Sequence, residues 1–160
     1  TIKETLVVSS MIFTILIGAE VFGYFLSVSQ LSFALVGFIE GLGLPPVGVL
    51  LFIIVFYMVL GCFMDSLAMI LLTVPIFYPL IVANGFDPVW FGIIAVVTVE
   101  LGLITPPVGM NLFVIKSVAP DVPLSEIMIG VTPFVVTDIV RLGVLLAFPT
   151  ISLLLPRLLG

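Results

Sequence analysis

The stretch Glu100–Val114, ELGLITPPVGMNLFV, sets two adjacent prolines in the middle of an apolar run. Without them the run would read as an ordinary membrane helix. Neither Pro106 nor Pro107 carries an N–H, so the carbonyls of Gly102 and Leu103, four residues back, lose their helical donors. Thr105 and Pro106 each precede a proline and are pushed towards extended geometry. Gly102 and Gly109 lower the cost of non-helical angles on both sides. The helix is expected to unwind for about one turn, exposing carbonyl oxygens and the Thr105 hydroxyl.

Such a break is costly in lipid, where irregular backbone survives only against protein or a cavity. Two readings remain. One is a proline kink packed against a neighbouring helix. The other is an ion or substrate site, because outward carbonyls suit a cation. Broken helices near the bilayer midplane hold Na+ and anionic substrates in secondary transporters. A doubled proline flanked by Gly102, Thr105, Gly109 and Asn111 fits the site better than the kink. Asn111 is placed to cap the next helix or to line the site.

The composition supplies the surroundings. Of 160 residues, 62% are hydrophobic and 8% charged. Soluble domains are about 45–50% apolar and about 25% charged, so this is an integral membrane protein; with its long runs read as helices, the expected fold class is all-α. There is one cysteine and no histidine. An internal disulfide, His-based metal sites and His catalysis are thereby excluded. The formal charge of −5 is scattered, with no basic run, and nucleic acid is not an expected partner. The chain opens TIKETLVV and is expected to be a piece of a longer protein.

Outward from the break, 5–28 reads as a transmembrane helix and 29–44 as a short interfacial arm or a connecting loop. Segment 45–83 is either two spanning helices or a re-entrant hairpin with its tip at Gly61–Ser66, GCFMDS. A first arm of 47–60 would be only ~21 Å long, against a ~30 Å hydrocarbon core. Pro75 and Pro79 weaken the second arm as a straight span. These features favour the hairpin. Asn84–Pro88 is a compact turn, 89–118 a crossing that contains the break, and 127–155 a last crossing.

At the hairpin tip one half-helix would end with spare carbonyls near Gly61. The next would begin with spare N–H groups near Ser66. Asp65 is suited to cap the second arm, and ligation of an ion by Asp65 would compete with that role. Asp138 and Arg141, three apart on one helix, are expected to pair. Glu20 and Glu100 are intramembrane acids without obvious local partners. Glu100 either faces the same cavity as Thr105 or bonds to another helix. Trp90, Phe91 and Tyr78, near the ends of apolar runs, read as interface anchors.

The hairpin GCFMDSLAMILLTVPIFYPL, the turn GFDPVWFGI and the run ELGLITPPVGMNLFVIKSVAPDVPLSEI carry a specific resemblance. So do VTPFVVTDIVRLGVLLAFPTISLLLP and the early FGYFLSVSQL. Together they resemble the large membrane subunit of the tripartite ATP-independent periplasmic (TRAP) transporters over essentially the whole chain. That resemblance implies an elevator-type transporter built from two inverted repeats. Each repeat has a scaffold helix, an arm, a re-entrant hairpin and a broken helix. This chain would be the carboxyl-terminal repeat.

The resemblance further implies Na+-coupled symport of dicarboxylates or sialic acid across the bacterial inner membrane. The partners would be the missing amino-terminal repeat, a small membrane subunit and a periplasmic substrate-binding protein. No cofactor is implied beyond Na+ as coupling ion. One Na+ site would lie at Gly61, Thr105 and Pro106. Asp65, Ser66, Glu100, Gly102, Leu103, Pro107, Gly109 and Asn111 are the further candidates around it. Rival functions are an ion channel filtering through the same carbonyls, and an intramembrane aspartyl protease pairing Asp65 with Asp138.

Overall fold

The computed structural model describes residues 2–41, 43–106 and 109–159. Among them the chain is helical throughout, without strands: α1 (Ile2–Ser29), α2 (Leu31–Gly41), α3 (Pro46–Gly61), α4 (Ser66–Ala83), α5 (Pro88–Ile104), α6 (Met110–Val118), α7 (Leu124–Ala147) and α8 (Pro149–Leu159). Among the described residues, three stretches are long and apolar enough to cross a membrane: Ile2–Leu26 in α1, all of α4, and all of α7. The arm α3 has 16 residues, about 24 Å at ~1.5 Å per residue.

The centre of the molecule is α5, packed chiefly on α3, α4 and α7. Its sequence is apolar nearly all round, as expected of a helix buried on several sides. Trp90, Phe91, Ile94, Ala95, Thr98, Val99, Leu101 and Gly102 are all buried. Ile53 and Tyr57 of α3 and Met69, Leu80 and Ile81 of α4 close the core around it. In contrast, α1 keeps most of its apolar side chains exposed and touches only α2 and α4 appreciably.

Local chemistry sets the connections. The turn after α4 is a Schellman motif: Phe86 N–H donates to the Ile81 carbonyl (3.1 Å) and Gly85 N–H to Val82 (3.0 Å). It needs Gly85 at φ 78°, a left-handed geometry that favours glycine. Asp87 then caps α5, accepting from Val89 N–H (2.8 Å) and Trp90 N–H (3.2 Å), and Pro88 occupies the first helical turn, where its missing N–H costs nothing.

Two expectations are corrected here. The last segment, 127–155, is not one helix: it divides at Phe148, between α7 and α8. Pro149 cannot donate to the Leu145 carbonyl, and the residue before a proline leaves helical geometry; Phe148 sits at φ −126°, ψ 73°. Trp90 and Phe91 are not interface anchors but core residues, 4% and 2% exposed. The reason lies in the same proline. The Trp90 indole N–H donates to Leu145 O at 3.0 Å, supplying the bond that Pro149 removes. Tyr78 does remain half exposed, at 49%. Pro75 and Pro79 lie inside α4 without ending it.

Candidate functional site

The tip between α3 and α4 meets the break between α5 and α6. Gly61, the last residue of α3, lies against Gly102 with no side chain between the two backbones. A Cβ on Gly102 would stand 2.9 Å from the Met58 carbonyl oxygen and 3.0 Å from Gly61 Cα. A Cβ on Gly61 would stand 3.1 Å from both Gly102 Cα and the Val99 oxygen. Just beyond Gly61, the Cys62 thiol donates to Met58 O (3.3 Å) and reaches Thr105 O at 3.9 Å. Residues some forty positions apart thus form one junction.

At the break the backbone accounting differs from the expectation in one respect. Gly102 recovers a donor, because Thr105 N–H turns back to its carbonyl at 3.2 Å. Leu103 does not: its donors at three and four residues onward would be Pro106 and Pro107, and neither has an N–H. Among the described residues no donor reaches the Leu103 carbonyl. Nor is the Thr105 hydroxyl free to donate, since it already donates to Leu101 O at 2.5 Å. Its lone pairs stay available to accept or to ligate. Gly109 is buried over this turn. A Cβ there would lie 2.9 Å from the Leu103 oxygen and 3.0 Å from the Thr105 oxygen. Two carbonyl oxygens therefore converge beside a position that has no side chain. Such a cradle of hard oxygen donors suits a small cation. Pro106 is half-buried at its edge, and Pro107 lies outside the described residues.

Asp65 accepts from Leu67 N–H (3.0 Å) and Ala68 N–H (3.3 Å), both through Oδ2. It is the N-cap of α4, and Ser66 is the half-buried first residue of that helix. Asn111 is exposed on the first turn of α6. Glu100 does not join the junction. Its carboxylate turns to α7, 3.7 Å from Arg141, which also holds Asp138 at 3.2 Å. The expected pair is a trio that ties α5 to α7 one turn before the break. The local sequence around Glu100 carries no sign of it, because Arg141 is far along the chain. Sequence reasoning also missed the buried Tyr57 and Thr73 hydroxyls, 2.8 Å apart between the two hairpin arms.

The trio leads to a test. Asp138→Ala leaves Arg141 its second carboxylate, so a mild effect is expected. Arg141→Leu leaves two carboxylates without their cation at a place where charge must be paired. It should lower the yield of folded, monodisperse subunit extracted from membranes several-fold. Adding Glu100→Gln and Asp138→Asn should restore most of that yield. Equal losses from the single and the triple variant would remove the ion-pair argument.

Comparison with known proteins places the chain in a family. The family model described as tripartite ATP-independent periplasmic transporter, DctM component, matches residues 1–151. The chain is 36% identical to a sialic acid TRAP transporter large permease protein of Vibrio cholerae, over 98% of this chain and 36% of the relative. It is 37% identical to a C4-dicarboxylate TRAP transporter large permease protein of Pseudomonas aeruginosa, over 94% and 35%. An ectoine TRAP transporter large permease protein of Halomonas elongata is 31% identical over 96% and 36%. The chain spans about a third of the length of these curated relatives. All three are named as permeases, transporters rather than enzymes. An all-helical chain with spans long enough for a membrane, matched along nearly its whole length, belongs to the DctM component family of the tripartite ATP-independent periplasmic transporters.

Proposed function

We propose that the chain supplies one half of the ion and substrate site of a Na+-coupled importer. In this reading the junction of Gly61, Gly102, Leu103, Thr105 and Gly109 holds one Na+. The missing amino-terminal repeat supplies the opposing hairpin and break, as the inverted repeats of secondary transporters do. The complete subunit is a multi-pass protein of the bacterial inner membrane. It moves by an elevator mechanism beside a small membrane subunit and receives a carboxylate-type substrate from a periplasmic binding protein. The observation that carries the reading is the Leu103 carbonyl, stripped of both helical donors, converging with Thr105 O beside Gly109. Relatives of similar identity are named for sialic acid, C4-dicarboxylates and ectoine. A site made here of backbone oxygens, one threonine hydroxyl and glycines gives no reason for this third of the subunit to choose among them.

The same oxygens would serve a channel filter, so the deciding experiment separates the two. The complete transporter in proteoliposomes should accumulate substrate only with an inward Na+ gradient, at a rate that saturates with binding protein. Thr105→Val removes one ligating oxygen and leaves Leu101 O without its hydroxyl donor. A lost bond is worth about 0.5–1.5 kcal/mol, so the half-saturating Na+ concentration should rise roughly three- to tenfold. A Na+ current without bound substrate or binding protein would favour the channel. The protease alternative has lost its carboxylate pair: Asp65 is a helix cap and Asp138 holds Arg141.

A further inference from the structure

The arms of the hairpin touch each other little; α3 packs mainly on α5, and α4 is shared among α5, α1 and α2. Among the described residues, one hydrogen bond joins their side chains, between the hydroxyls of Tyr57 and Thr73 at 2.8 Å. Both residues are buried, Tyr57 at 1% and Thr73 at 6% exposure. The Thr73 hydroxyl also lies 2.7 Å from the Met69 carbonyl of its own helix. The Tyr57 ring lies tilted against its neighbours, with centroids 5.6 Å from Phe77 of α4 and 6.4 Å from Phe91 of α5. Tyr57 of α3 therefore touches both α4 and α5, and it stands one turn before Gly61 on its own helix.

We propose that Tyr57 and Thr73 are positioning residues: their hydroxyl bond sets the register of the two hairpin arms and so seats the tip against the break. The argument is geometric. The tip between Gly61 and Ser66 is short and is fastened at both ends, by the turn bonds of Phe63 and Met64 to Leu60 O and by the Asp65 cap. A slide of α3 along α4 must therefore displace Gly61 from Gly102. The apolar contacts of the arms tolerate a small slide, because dispersion between smooth side chains is not directional. A buried hydroxyl pair does not: Thr73 keeps its bond to Met69 O, but the Tyr57 hydroxyl is left unbonded at its full desolvation cost.

This inference rests on the proposed Na+ site for one of its readouts and is independent of it for the other. In the complete transporter Tyr57→Phe keeps the ring and removes only the bond; Thr73→Val also removes the hydroxyl's bond to Met69 O; Thr73→Ser keeps the hydroxyl. The first readout is the alkylation rate of Cys62 by a membrane-permeant maleimide, followed by mass spectrometry of the tip peptide. The thiol is half-buried against Met58 and Thr105. Its rate should rise about three- to tenfold in Tyr57→Phe and in Thr73→Val, and stay near wild type in Thr73→Ser. The double variant should be no worse than either single one. The second readout is the half-saturating Na+ concentration for uptake, expected to rise by a similar factor with the maximal rate little changed. Unchanged alkylation in both variants, at normal membrane levels, overturns the clasp. Faster alkylation with unchanged Na+ dependence keeps the clasp and rejects the tip as a Na+ site.

Discussion

Gly102→Ala is expected to cut Na+-dependent uptake by the complete transporter by about tenfold or more, at normal amounts of subunit in the membrane. The new Cβ would stand 2.9 Å from Met58 O and 3.0 Å from Gly61 Cα. Carbon atoms rest at about 3.5–4.0 Å from one another, so the two helices must part by roughly half an ångström. Both obstacles are backbone, and no side chain can swing aside to absorb the change. The hairpin tip would lift from the break, and displacements of about 1 Å can cost as much as 10²-fold in a positioned site. Gly61→Ala meets Gly102 Cα and Val99 O at 3.1 Å and should do less damage. Gly92→Ala is the control in the same helix: nothing lies within 4 Å of its Cβ. Alanine there should be harmless. If Gly102→Ala behaves like Gly92→Ala, the close crossing does not matter to transport.

The second large effect is expected at the break itself. Pro106→Ala combined with Pro107→Ala returns N–H donors to Gly102 and Leu103. Alanine also favours helix over proline by ~3 kcal/mol at each interior position. The chain from α5 into α6 should rewind, and the Leu103 carbonyl would turn into its own helix. Na+ dependence should then be lost, while the yield of folded subunit holds or rises, because a continuous helix satisfies its own backbone. Uptake at several Na+ concentrations, with subunit quantified in the membrane, checks both halves of this expectation. Normal Na+ dependence in a well-expressed double variant would reduce the break to a kink and remove the basis of the proposed site.

How much of this was legible beforehand depends on the reach of each interaction. Leu103 loses both possible donors because of residues three and four positions on, so its orphaned carbonyl can be read from LITPPV alone. The Asp65 cap is equally local, since its partners are Leu67 and Ala68. Glu100 was not legible in this way. Its neighbours in sequence are apolar, and either a cavity or another helix could have received it. Gly102 was legible only in part. The sequence marks it as losing a donor to Pro106, but Thr105 N–H restores that bond within the turn.

By itself the sequence determined the class and the defects. Scarce charge and long apolar runs leave a membrane helix as the state that satisfies the backbone, and each proline within a helical run removes one known bond four residues back. What replaces a lost bond was decided only by tertiary structure. Pro149 deprives Leu145 of its donor just as the paired prolines deprive Leu103. Yet Leu145 is served by the indole of Trp90, 55 residues earlier, and among the described residues Leu103 is served by nothing. Helical hydrogen bonds reach four residues, so sequence spacing names the orphaned carbonyl. Which atom arrives to meet it depends on how the helices rotate and cross as their side chains pack. That packing brought Arg141 to Glu100 and laid Gly61 on Gly102.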